Sequence, residues 1–119
     1  MLRIGRAVVR VDDLGGALAF YERAFGFGVL FDRELFPGFR SVHVGPGSAG
    51  EPGLWLFPVE SARPDQEPAL VLFTDSFDTD TERARNAGAR VHAETAGEPG
   101  SRSVNLLDPW GNVIVLAEV

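Results

Sequence analysis

A chain of 119 residues with 11 basic and 17 acidic side chains, and so a net charge of −6, suits one compact domain and is short for two independent ones. Apolar residues at 45% are too many for a disordered chain, and charged residues at 24% are ordinary for a soluble one. Cysteine and lysine are absent, which excludes disulfides, thiolate nucleophiles, zinc ribbons, Schiff bases and Walker-type phosphate sites.

Branched residues at Val8, Val9 and Val11 predict a strand over Met1 to Val11. Asp13 stands where a helix N-cap belongs, and Leu14, Leu18, Tyr21 and Phe25 follow with helical spacing. Ala17, Phe20 and Ala24 widen that stripe, and Gly26 ends it. Strands are expected over Phe27 to Leu35, Phe39 to Val44 and Leu54 to Val59, with a turn at Phe36-Pro37-Gly38 and a loop over Gly45 to Gly53. The polar, proline-bearing stretch from Glu60 to Pro68 reads as a linker. Beyond it come a strand over Ala69 to Thr74 and a helix over about Phe77 to Ala87, capped by Asp75 and closed by Gly88. Strands over Arg90 to Glu94, Ser103 to Leu107 and Asn112 to Val119 complete the chain, the last two joined by the tight turn Asp108-Pro109-Trp110-Gly111.

The order is therefore β-α-β-β-β, linker, β-α-β-β-β, an α+β chain with an internal repeat. Asp13 to Gly26 and Asp75 to Gly88 are the same interval. The identical segments Gly50-Glu51-Pro52-Gly53 and Gly97-Glu98-Pro99-Gly100 do not share the helices' offset, and their identity reads as loop composition.

Two apparent motifs fall away. Gly45-Pro46-Gly47-Ser48-Ala49-Gly50 fits G-x-G-x-x-G, but a dinucleotide site needs a helix directly after the glycines, and here Pro52 and a strand follow. Asp75, Asp78, Asp80 and Glu82 lie at a helix start, where the dipole alone favours acids. Scattered arginines at low pI do not make the basic stripe that nucleic acid requires, and no run approaches the ~18 apolar residues of a membrane span. A cytoplasmic location is the simplest expectation.

Arg10-Val11-Asp12-Asp13-Leu14, then Ala19-Phe20-Tyr21-Glu22 and Gly26-Phe27, resemble the opening of the vicinal-oxygen-chelate proteins, the glyoxalase/bleomycin-resistance/dioxygenase superfamily. Asp108-Pro109-Trp110-Gly111-Asn112 followed by Val113-Ile114-Val115-Leu116 is similar to the family's closing hairpin. The resemblance spans nearly the whole chain. It implies two tandem βαβββ modules, about 1–59 and 69–119 with a linker about 60–68, forming a cup-shaped mixed sheet with the helices outside. It also implies where a divalent metal would be held. The first ligand position, four residues before Arg10, is Arg6; the second is Leu56, or Trp55 if the register slips by one. The third, six residues before Asp75, is Ala69, and the last, four after Gly111, is Val115. Leucine, alanine and valine offer no donor atom, and arginine is a permanent cation, so no metal and no other cofactor is expected. His43 and His92 miss these positions and read as surface or hydrogen-bonded strand histidines.

With the positions that the resemblance implies, Arg6, Leu56 or Trp55, Ala69 and Val115, facing the cup, strand alternation adds Val8, Val71, Ser103 and Asn105 to a ligand-contacting surface. Arg6 has two readings, a fork for an anionic or carbonyl-bearing ligand, or a structural residue that is ion-paired or solvated at the rim. Trp55, Trp110, Phe31 and Phe57 can stack on a flat ligand or simply fill the core. Tyr21 reads as packing. The expected function is metal-independent binding of a small molecule by a homodimer, by analogy with the bleomycin-resistance type and so with antibiotic or aromatic-metabolite sequestration. The alternatives are a lyase, isomerase or dioxygenase with an atypical site, and an accessory domain with a vestigial cleft.

Overall fold

The computed structural model describes residues 1–64 and 67–119. Two of the nine residues expected as a linker, Asp65 and Gln66, lie outside that range. The chain divides into two units, Met1–Ala62 and Arg63–Val119.

In the first unit, β1 (Arg6–Val11) leads into α1 (Leu14–Phe25), then β2 (Gly28–Phe36), β3 (Phe39–Gly45) and β4 (Gly53–Pro58). The sheet order is β1-β4-β3-β2, parallel between β1 and β4 and antiparallel elsewhere. The expected strand from Met1 begins only at Arg6, because Gly53, the first residue of β4, pairs there, and residues 1–5 have no ladder to join. Asp13 caps α1 by accepting from the Gly16 N–H at 3.0 Å, and Gly26 closes it in the left-handed region at φ 73°. Ala17, Phe20, Tyr21 and Ala24 are the buried line of α1, with Leu14, Leu18 and Phe25 half-buried beside it. They share one core with Val9, Val11, Val42, Val44, Leu54 and Leu56, each at most 3% exposed.

The second unit repeats the pattern: β5 (Pro68–Thr74), α2 (Phe77–Asn86), β6 (Arg90–Ala96), β7 (Ser103–Leu107) and β8 (Val113–Glu118), in the order β5-β8-β7-β6. Matching orders show the repeat to be structural. The two Gly-Glu-Pro-Gly segments are not equivalents: one connects β3 to β4, the other β6 to β7. The cap of α2 departs from expectation. Ser76, not Asp75, is the N-cap, and its side chain makes no capping bond. The Thr74 hydroxyl instead accepts from the Ser76 N–H at 2.8 Å and donates to Asp80, so the strand end supplies the cap's partner.

At the end of β8, Glu118 accepts from the Gly100 N–H at 2.7 Å and from the Arg102 guanidinium at 3.0 and 3.1 Å. Arg102 also pairs with Asp78 at 3.0 Å and lies 4.6 Å above the Phe77 ring, tying β7, β8 and the start of α2 together. The Arg102 hydrogen bonds, ahead of those from backbone N–H groups, hold the Glu118 carboxyl down to about 2. A carboxyl depressed on folding stabilises above its ordinary pKa, and that contribution is lost as pH falls from about 4.5 to about 2. Melting temperature should therefore fall through that window. Glu118→Gln should melt lower at neutral pH and show a flatter acid limb; parallel profiles for the two proteins would remove the assignment.

Candidate functional site

Alternation along β1 sends Val9 and Val11 into the core and leaves Arg6, Val8 and Arg10 on the other face of the sheet. Register carries the same division across to β4, where Val8 is level with Trp55 and Val9 with Leu56. Trp55 and Phe57 thus share the Arg6 face, whereas Leu56 is fully buried in the core. This corrects the expected placement of Leu56: one residue of slip flips a strand side chain to the opposite face, and the pairing selects Trp55.

That face carries an unbroken series of rings. Phe36 stacks on Phe39 with centroids 4.8 Å apart, Phe39 meets Phe57 at 6.0 Å, and Phe57 meets Trp55 edge-on at 5.0 Å. Trp55 lies 5.6 Å from the His43 ring, and His43 lies 5.0 Å from Phe31. The Arg33 guanidinium caps the series 5.5 Å from the Phe31 centroid. Aromatic pairs of this kind contribute about 0.5–1.5 kcal/mol each beyond area burial. The Trp55 Nε1–H is buried with no hydrogen-bond partner, a donor left in want of an acceptor.

Arg6 is already engaged. Its Nε–H donates to His43 Nδ1 at 3.0 Å, and its terminal nitrogens donate to the carbonyls of Gly5 at 2.9 Å, Glu51 at 2.8 Å and Ala49 at 2.8 Å. The guanidinium therefore binds the 46–52 connection rather than projecting free. His43 lies 3.2 Å through Nε2 from the Ser41 hydroxyl, and burial first, then the Arg6 charge, hold its pKa below the ordinary value. Both favour the neutral ring, and His43 is a hydrogen-bonded strand histidine as the sequence suggested. Its contact with Arg6 was not foreseen, nor were Phe36 and Phe39. The signal available was the period-2 set Phe39, Ser41, His43 across the turn from Phe31.

On the second sheet, Val71 is level with Val115, and Val115 with Asn105. Ser103 is level with Ala117, which neighbours Phe73. Val71, Val115, Asn105 and Ser103 thus share one face, with Val104, Leu106, Ile114 and Leu116 buried on the other. Ala69 sits at an irregularity between Pro68 and Leu70 and is exposed.

The glyoxalase/bleomycin resistance protein/dioxygenase superfamily model matches residues 3–116. The chain belongs to this superfamily. A member of the glyoxalase/bleomycin resistance protein/dioxygenase superfamily from Sphaerobacter thermophilus superposes with a TM-score of 0.82 at 27% identity, over 100% of this chain and 98% of that one. The fosfomycin resistance protein FosX from Listeria monocytogenes gives 0.77 at 17% identity, over 100% and 94%. Glyoxalase I from Zea mays gives 0.73 at 21% identity, over 93% of this chain and 44% of that one. The last two show the shared fold alone. No curated protein matches the sequence.

The residues at the positions where the resemblance implies a metal do not fit one. Arg6 offers only N–H donors, all but one of them committed; Trp55, on the face where Leu56 was expected, offers only an N–H; Ala69 and Val115 offer nothing. Among the described residues, no three His, Asp or Glu side chains converge as a ligand set. No helix among them is long and apolar enough to cross a membrane.

Proposed function

We propose that this superfamily member binds a small planar molecule without a metal, and sequesters it rather than transforming it. The observation that carries the reading is the six-ring series on the first sheet. A ring-lined apolar face selects an aromatic or amphipathic ligand. Val8 and Trp55 are assigned to it directly, and Arg6 indirectly, through the loop it holds. Val71, Val115, Ser103, Asn105 and Ala69 are assigned as ligand contacts on the second sheet. An aromatic antibiotic or metabolite is the substrate class this favours. The reading includes a homodimer in the cytoplasm.

A thermal-shift screen of planar antibiotics and aromatic metabolites tests it. A ligand present at 100 times its Kd should add about 2.7 kcal/mol of stability, several degrees of melting temperature in a chain of this size. Absence of any shift, together with turnover in a glyoxalase or ring-cleavage assay, would replace binding by catalysis. Light scattering that gives the mass of one chain would remove the dimer.

A further inference from the structure

The 46–52 connection between β3 and β4 is fastened at several points. Arg6 takes the Ala49 and Glu51 carbonyls, Arg3 the Gly50 carbonyl at 3.3 Å, and Gly53 N–H bonds to the Gly5 carbonyl at 3.1 Å. Arg6 supplies two of these fastenings, and its Nε–H is held by the His43 Nδ1 lone pair at 3.0 Å. Only a neutral imidazole with its proton on Nε2 can accept there; Nε2–H then donates to the Ser41 hydroxyl.

We propose that the Arg6–His43 contact is a pH-operated latch: a proton arriving on His43 Nδ1 releases Arg6, and with it the 46–52 connection. The protonated ring presents an N–H to an N–H and a cation to a cation, so attraction becomes repulsion. The groups around His43 offer no compensation. Arg6 faces it from β1, Ser41 precedes it on β3, and Trp55 packs on it from β4. From β2 comes Phe31 with Arg33 on its ring, a further cation. Arg10 shares the face from β1. The carboxylate of Glu51, in the connection itself, is engaged by the Ser48 hydroxyl at 2.9 Å. Among the described residues, no carboxylate bonds to His43. Because burial lowers its pKa, the stability His43 confers is present above the ordinary value of 6.5 and is lost as pH falls from there through the lowered one.

Nuclear magnetic resonance of the full chain, from about pH 7.5 to about pH 4.5, tests the latch. Histidine ring nitrogen shifts should show His43 neutral with Nδ1 unprotonated at the upper limit. The Glu51 and Gly53 amides should then lose protection at least about tenfold, after correction for intrinsic exchange, with the midpoint of the ring. His43→Asn keeps an acceptor near the Nδ1 position and does not titrate, so its connection should stay protected throughout to within about twofold. Arg6→Gln should be loose at every pH. An unchanged loop across the wild-type His43 titration would overturn the proposal. So would a pH response that persists in His43→Asn, which would assign the opening to Glu51 or another carboxylate.

Discussion

Gly111→Ala should cost about 3 kcal/mol of stability, among the largest losses available to a single methyl group in this chain. Gly111 closes the β7–β8 turn at φ +87°, a conformation that L side chains rarely adopt. A Cβ there would also overlap the Pro64 backbone, with Pro64 N at 2.8 Å. Neither problem relaxes easily, because the turn is tied on both sides. Asp108, 1% exposed, accepts the Trp110 and Asn112 backbone N–H groups at 2.9 and 2.8 Å and the Asn112 side-chain amide at 2.8 Å. Denaturant unfolding measures the loss, and a change under about 1 kcal/mol would mean that the turn yields where the geometry says it does not.

The second large effect separates two neighbouring residues. Leu56→Ala removes a fully buried core side chain and should cost about 2–5 kcal/mol of stability, while the folded protein binds ligand unchanged to within about twofold. Trp55→Ala should do the reverse in emphasis, weakening binding roughly 30-fold, about 2 kcal/mol, because it removes the centre of the ring series. Trp55→Phe restores a ring without the N–H and should recover part of that loss. Denaturation and calorimetry on the same samples read both quantities. A binding loss in Leu56→Ala as large as in Trp55→Ala would reverse the assignment of the two faces.

The elements were legible where local chemistry decides them. Asp13 and Gly26 bracket α1 because a carboxylate satisfies a first-turn N–H and a glycine tolerates the left-handed closure. The Asp108-Pro109-Trp110-Gly111 turn was legible for the same reason. Ser76 escaped, because its N–H is satisfied by Thr74, a strand residue that no capping pattern includes. The site was legible by halves. Alternation counted from Ala69 and Val115, the positions that the family resemblance supplied, put Val71 and Val115 on one face, and the apolar Val104 and Leu106 left Ser103 and Asn105 for it; the strand pairing puts these four on one face. In β4 every residue from Leu54 to Phe57 is apolar, so period-2 contrast vanishes and only pairing with Val8 reveals that Trp55 belongs with Arg6. The partners of Arg6 were out of reach for another reason. Main-chain carbonyls at Ala49 and Glu51 leave no mark on residue type, so an arginine that clamps a loop reads the same as one that waits for an anion.

Metal-free binding on the ring face is the central claim, and calorimetric titration tests it most directly. The protein is treated with chelator, dialysed, and titrated with a ligand that stabilises it in the thermal screen. The same Kd with and without chelator is the predicted result, together with at least about tenfold weaker binding to Trp55→Ala. Binding that disappears with the chelator and returns with one equivalent of a divalent metal would contradict it.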